Sequence, residues 1–494
     1  MADILITGGF LISMNPTRQV IADGAVAIEK DRIIDVGTTQ EITSRHQAPK
    51  VIDAKGKAIL PGLIDAHSHA GHGLVKSMGG GTMDMERWKV VCEVGYSRAS
   101  TPEFWRAEAQ LSALERLRFG VTTGLSFLGG GMMIMRTDDP IYGDAHCDGV
   151  VEVGTRSIVG LGPNRPPFPV TYTNWNGDVP TDSQITYERQ KATSETLLKR
   201  WHGSHGQRIS IALLTAVLAP LEYNKLGAAE HDENARHVRG FHALSRDYGV
   251  LFTQDGHFGG TIMLAEELGI LGPNSLLGQA TNLSEEEIRL CAETETRIVH
   301  NPSSGWSNWQ RCPVPEFIDA GVVVAMGSDA SGPDRSKDMF RHMQACMHYH
   351  RTHKGEMSWM PPGKVLEMCT IDAARAVGME KEIGSLEVGK KADIILVNLR
   401  RPHIYPNHML EFHVICFANG NDVDTVIVDS RVALEDGKAL FVNEDNILDT
   451  AQSEVEKMIA RGKLEDYLSI PPKFWGHSRA TPPKPHVIAV YPDK

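Results

Sequence analysis

The feature that most limits what this chain can fold into is a rhythm. Between residues 61 and 383 short apolar runs recur eight times: "GLIDAHSH", "GVTTGLSFL", "RSIVGLG", "RISIALLTAVLAP", "GVLFTQDGH", "SLLGQATNL", "TRIVHNP" and "GVVVAMGSD". Most are separated by longer stretches with helical patterning, such as "TPEFWRAEAQLSALERLRFG" and "SEEEIRLCAETE". A short continuous apolar run fits a strand buried on both faces. Eight such strands alternating with helices predict a (β/α)8 barrel of the TIM type, in the α/β class. On either side the pattern changes. Residues 1–60 ("DILITGGFLI", "GAVAIEKDRIIDVG") and 384–440 ("IGSLEVGKKADIILVNL", "DVDTVIVDSRVALEDGKAL") are strand-and-turn sequence, expected to build one small β-sandwich from the N- and C-terminal segments. Residues 441–494 are expected to form a helix followed by a Pro- and aromatic-rich tail, "IPPKFWGHSRATPPKPHVIAVYPDK", lying over a surface or a neighbouring subunit. A doubly wound sheet is the architectural rival, but no G-x-G-x-x-G opens the first helix.

Charge and cysteine usage narrow the function classes. The 494 residues carry a formal net charge of −12, and no block of Lys or Arg offers a phosphate backbone a basic face, so nucleic acid is not an expected partner. Seven cysteines are scattered without a C-x-x-C, which fits buried thiols in a reducing compartment. The N-terminal residues enter strand-like alternation directly, with neither the apolar core of a signal peptide nor a membrane span, so a cytoplasmic protein is expected. A small-molecule substrate and a homo-oligomer complete the expected partners.

In a barrel of this kind function sits at the C-terminal ends of the strands. The first run ends with His67 and His69, whose spacing of two puts both imidazoles on one face of a strand. Both can then reach a single divalent ion at roughly 2.0–2.1 Å. The eighth run ends with Asp329, a carboxylate able to face the same ion and take a proton from water that the ion has acidified. A lone H-x-H would be weak evidence; the strand-8 aspartate makes the metal reading the stronger one. His72, close by in the sequence, is expected in the loop over the barrel mouth, either bonded to backbone or touching substrate.

The stretches "LPGLIDAHSH", "GVTTG", "HNPSS", "GSDAS", "TIDAARAVGMEKEIGSLEVGKKADIILVNL" and "DVDTVIVDSRVALEDGK" resemble the amidohydrolase superfamily, in its cytosine deaminase, S-adenosylhomocysteine deaminase and atrazine chlorohydrolase-like branch. The resemblance spans about residues 3–440. It implies a hydrolase that uses metal-activated water on a C–N bond of an amide, a urea-like compound or an amino-substituted ring. It also implies that His67 and His69 are metal ligands, that Asp329 is a ligand and proton shuttle, and that His300 faces the substrate region from strand 7. The implied cofactor is one divalent ion, zinc first, with iron, manganese or cobalt as alternatives.

Two positions depart from that pattern. The family's strand-5 ligand histidine and the proton-shuttling glutamate three residues later align here with Asp255 and Phe258, and its strand-6 histidine aligns with Gln279. Either the barrel has lost its metal, or the site has been rebuilt. In the rebuilt reading His257, two residues beyond Asp255, shares its strand face and supplies the missing imidazole as ligand and catalytic group. Asp255 is then a ligand or orients His257, and Gln279 bonds substrate. This departure points toward less orthodox hydrolases, such as those acting on phenylureas or thiocarbamates. The segment "LGGGMMIMRTDDPIYGDAHCDG" after strand 2 is expected to be an elaborated active-site loop, with His146 a further substrate contact. The histidine-rich run "FRHMQACMHYHRTHKG" is expected to form a helix with a solvated or interface face and no metal. Rival readings are a non-catalytic subunit and a metal-dependent lyase or decarboxylase on the same scaffold.

Overall fold

The computed structural model describes residues 2–128, 136–221, 227–304, 307 and 310–479. All eight apolar runs form strands of one parallel sheet: Leu63–His69, Val121–Phe127, Arg156–Leu161, Ile209–Leu214, Phe252–Gln254, Ser275–Gly278, Arg297–His300 and Val324–Met326. Each pairs with its sequence neighbour. The last returns to the first through a bridge between Ser68 and Asp329, where the Asp329 N–H donates to the His67 carbonyl at 2.9 Å. The sheet is thereby drawn into a nearly closed barrel.

Alternation along each strand divides the apolar residues between two layers. Ile64, Leu125, Ile158, Ala212, Leu276, Val299 and Ala325 share an inner cluster, joined by Ala373, Ala374 and Ala376 of the helix Ile371–Ala376. Ile298 and Met326 belong instead to a cluster with Met339, Phe340, Met343 and Cys346 of the outer helix Met339–Lys354. The helices begin where their sequences provide caps. Thr101 accepts from the Phe104 N–H ahead of Pro102–Arg118, and Ser284 and Glu287 cap each other at Glu285–Glu293.

The terminal segments meet in one nine-stranded sheet, with Lys57–Pro61 paired antiparallel to Ile394–Asn398. Strands from opposite ends of its order share one core, Val26, Ile28 and Ile33 packing with Ile394, Ile427 and Val432. Ile395, Val397 and Val423 face the barrel's outer cluster. Elements not expected include two short helices in the strand-and-turn segments, Thr39–Arg45 and Leu410–Cys416, and a hairpin, Val170–Asn176 with Val179–Ile185, whose turn holds Gly177 at φ +60°. The expected helix near the C-terminus spans Glu444–Gly462; of the tail, residues 480–494 lie outside the described residues. Among the described residues no helix is long and apolar enough to cross a membrane.

Candidate metal centre and active site

At the C-terminal mouth of the barrel His67, His69, Asp255 and Asp329 each bring a ligand atom within 4.8 Å of all the others. His67 Nε2 lies 3.3 Å from Asp255 Oδ1 and 3.7 Å from Asp329 Oδ1. His69 Nε2 lies 3.2 Å from Asp255 Oδ2 and 3.2 Å from Asp329 Oδ1. The imidazoles are buried, and Phe127 at the end of the second strand sets its ring edge-on to both, at centroid distances of 4.8 and 5.3 Å. Burial opposes charge on His67, but the carboxylates of Asp255 and Asp329 overcome it and push its pKa up to about 10. Burial works against the Asp329 charge too, yet His67, His69 and Arg335 hold its carboxyl well below the usual range. Positive charge is therefore strongly favoured between the two carboxylates.

Neither ring nitrogen of His67 has a hydrogen-bond partner among the described residues, nor does Asp255 Oδ1, though all three atoms are buried. Buried polar atoms left unpaired cost about 1–3 kcal/mol each, and two of these, His67 Nε2 and Asp255 Oδ1, face one another at 3.3 Å within the cluster. Two imidazoles and two carboxylates form a donor set that suits a transition-series divalent ion. The residues present therefore fit a metal, and they fit it through Asp255.

His257 does not join them. The extended-strand expectation fails because the fifth strand ends at Gln254 and Gly256 turns the chain at φ +95°. The His257 backbone then bonds to the sixth strand's end, donating to the Gly278 carbonyl at 3.0 Å. Its ring nitrogens meet Thr261 Oγ1 at 3.0 Å and Gln254 Oε1 at 3.2 Å. Burial, only partly offset by Asp255, lowers its pKa to about 3. Of the two strand-5 candidates, Asp255 alone lies within the cluster. Gln279 donates from Nε2 to Asp329 Oδ2 at 3.2 Å, so its amide steadies that carboxylate, while its buried carbonyl oxygen has no partner among the described residues. His72 stands next to the cluster, its ring 5.3 Å from that of His69 and stacked on Trp88 at 5.0 Å.

Two further expectations land elsewhere. His146 is not in a loop but on the helix Pro140–Val153, buried and electrostatically coupled to Glu108 of the neighbouring helix; residues 129–135 of the supposed active-site loop lie outside the described residues. His300 shares the outward side of its strand with Ile298 and faces the outer helix, its ring 5.2 Å from that of His350. The next residue, Asn301, takes the inward place: a side chain built on Gly327 would meet Asn301 Oδ1 at 2.5 Å and His67 Cβ at 2.6 Å. Among the described residues neither polar atom of the Asn301 amide has a partner. Sequence reasoning missed Asn301, although alternation from Ile298 would have found it. It also missed Arg335, whose guanidinium lies 3.8 Å from Asp329 Oδ2 and is held by the carbonyls of Ser303 and Ala330, both at 2.6 Å.

Asp65 underlies the site. It pairs with Arg116 at 3.0 Å and accepts from the Ser328 N–H at 2.9 Å and the Ser328 hydroxyl at 2.8 Å, all in the interior. That network anchors the loop carrying Asp329 to the strand carrying His67.

Fold and site together define an eight-stranded barrel with a cluster of candidate metal ligands at its mouth. Residues 223–439 match the amidohydrolase family model. The chain's relatives include the 5'-deoxyadenosine deaminase of Methanosarcina acetivorans, 27% identical over 467 residues (93% of this chain and 99% of that one). The 5-methylthioadenosine/S-adenosylhomocysteine deaminase of Moorella thermoacetica is 29% identical over 459 residues, covering 90% of this chain and 96% of the other. Among solved structures, an adenosine deaminase from Xanthomonas campestris with bound zinc superposes with a TM-score of 0.77 at 21% identity, covering 93% of this chain and 99% of that one. Atrazine chlorohydrolase from Arthrobacter aurescens, complexed with zinc, gives 0.76 at 19% identity, covering 92% and 100%. At those identities the structures speak for the fold.

Proposed function

We propose that this protein is a metal-dependent hydrolase that cleaves a C–N bond of a small molecule, with its ion held by His67, His69, Asp255 and Asp329. The observation that carries this reading is the convergence of those four side chains with buried donor atoms left unpaired. The relatives named as deaminases support the same bond class, and the zinc named with the two solved structures favours zinc as the ion. Such an ion supplies Lewis acidity, which brings the pKa of a water molecule from 15.7 toward about 7.

The protein's own groups do the rest. Asp329 takes the proton at its carboxylate and returns it to the leaving nitrogen. Gln279 fixes the rotation of that carboxylate, and Arg335 keeps it ionised between transfers. With Phe258 where the family pattern has a glutamate, no second carboxylate shares this relay from strand 5. His72, the Asn301 amide and the Gln279 carbonyl oxygen supply the polar contacts that orient substrate over the site.

The test is release of ammonia or amine by the zinc-loaded protein from 5'-deoxyadenosine, S-adenosylhomocysteine, an amino-triazine and an N-aryl urea. Turnover of one of these is expected. General base catalysis contributes typically 10²–10⁴-fold, so Asp329→Asn should cut kcat by about that range with a melting midpoint close to the parent's. No release from any of the four, or an unimpaired Asp329→Asn, overturns the proposal.

A further inference from the structure

A second cluster of donor atoms lies outside the barrel, and the site described above does not use it. His300 ends the seventh strand and projects toward the helix Met339–Lys354. Cys346 and His350 of that helix, four residues apart and so on one face, project back toward it. Their ligand atoms all lie within 4.8 Å of one another, and all three side chains are fully buried. Among the described residues neither ring nitrogen of His300 has a hydrogen-bond partner, and neither does either nitrogen of His350.

The same helix face provides the comparison. His342, one turn before Cys346, is as deeply placed but has both nitrogens satisfied, Nδ1 by Ser303 Oγ at 2.9 Å and Nε2 by the Ser336 carbonyl at 2.8 Å. A histidine that serves only packing on this face is thus paired in the ordinary way. His300 and His350 are not, and each unpaired buried polar atom costs about 1–3 kcal/mol. Each of the two brings one ring nitrogen within 4.8 Å of the Cys346 thiol.

We propose that His300, Cys346 and His350 form a second metal site, for zinc or a metal of similar softness. A nitrogen–nitrogen–sulfur set selects thiolate-binding metals over magnesium or calcium. Bonds of about 2.0–2.1 Å to nitrogen and 2.3 Å to sulfur hold tetrahedral donors roughly 3.3–3.8 Å apart, so small side-chain rotations bring these atoms onto an ion. Cys346 gives up its proton to solvent on binding, and the thiolate offsets one charge of the ion. That matters because Arg311 bears on both imidazoles, while Glu316, ion-paired with Arg311, counters it. The fourth position falls to water or to Cys312, a buried neighbour of Cys346. The ion ties the end of the seventh strand, and with it Asn301, to the outer helix. This site does not depend on the catalytic reading.

The experiment uses the full chain, stripped with a chelator and reloaded with cobalt(II). The barrel-mouth cluster contains no thiolate, so thiolate-to-cobalt charge transfer in the near ultraviolet reports the second site alone. The unmodified protein should take up one equivalent at each cluster and show that band. The band should survive in His67→Ala/His69→Ala, which loses the other equivalent. It should vanish in Cys346→Ser, and in His350→Gln the second equivalent should be lost. Absence of the band from the unmodified protein, or its persistence in Cys346→Ser, overturns the proposal; if that variant does not fold, the unmodified spectrum and His350→Gln decide.

Discussion

Asp65→Ala is the perturbation whose consequences the structure defines most fully. The substitution removes a carboxylate that neutralises Arg116 and accepts two hydrogen bonds from Ser328, with the Asp65 side chain 0% and the Arg116 side chain 3% exposed. Arg116 keeps contacts to the hydroxyls of Ser68 and Ser126, but among the described residues no other carboxylate is paired with it. Breaking a buried pair by removing one partner costs about 3–5 kcal/mol. At roughly 2 °C per kcal/mol for a large domain, the metal-saturated protein should melt about 6–10 °C lower by calorimetry. A second effect should accompany the first. Ser328 precedes Asp329, so its release loosens a proposed ligand, and loss of such a supporting contact typically weakens metal affinity by about 10–100-fold. Asp65→Asn keeps an acceptor for the Ser328 N–H and should fall between Ala and the parent. Asp65→Leu with Arg116→Met removes both charges and should recover much of the stability but little of the metal affinity, since Ser328 remains unanchored. An Asp65→Ala protein that melts and binds metal like the parent would refute this account of what fixes the strand-8 loop.

Two further outcomes test the metal centre. Asp255→Ala should lower the bound metal of the purified protein, whereas His257→Ala should leave it near the parental level by elemental analysis, because His257 is spent on Thr261 and Gln254; the opposite ranking would restore His257 as the strand-5 donor. In metal-free protein His67 has a raised pKa of about 10 against an ordinary 6.5, so its charge stabilises the fold fully below the lower value and is lost as pH rises toward the upper one; the melting temperature of stripped protein should fall across that window relative to the zinc-loaded form, and parallel curves would refute it.

The barrel was legible because its signal is redundant. Each strand is apolar on both faces, and eight repeats of that signature leave few other architectures. The hairpin at residues 170–185 lies outside that rhythm, between the third and fourth runs, and its only signal is local: the Gly177-Asp178 turn that joins its strands. His146 was placed in a loop although Asp139 and Pro140 are a helix start, Asp139 accepting from the Ile141 N–H. There the glycine run upstream outweighed a local cap.

The site was legible in proportion to how far it depends on regular strand geometry. His67 and His69 lie at the end of a strand, and alternation predicts their shared direction; Asp329 lies three residues past the strand Val324–Met326, at φ +62°. The motif glycines state the same geometry from the other side. A side chain on Gly124 in "GVTTG" would come within 2.2 Å of the Arg116 guanidinium, and one on Gly278 within 3.0 Å of His67 Cε1. Those positions are empty so that an arginine can cross to Asp65 and an imidazole can stand upright at the mouth. Residues 255–257 obey no such period. Once Gly256 takes a left-handed conformation, spacing in sequence ceases to indicate a shared face, and Asp255 reaches the cluster while His257 turns to the neighbouring strand. The substitution of aspartate for the family's histidine at this position is therefore coupled to backbone shape: a shorter, anionic side chain reaches the cluster from the last position before the turn, and the imidazole that seemed its replacement serves to hold the turn in place.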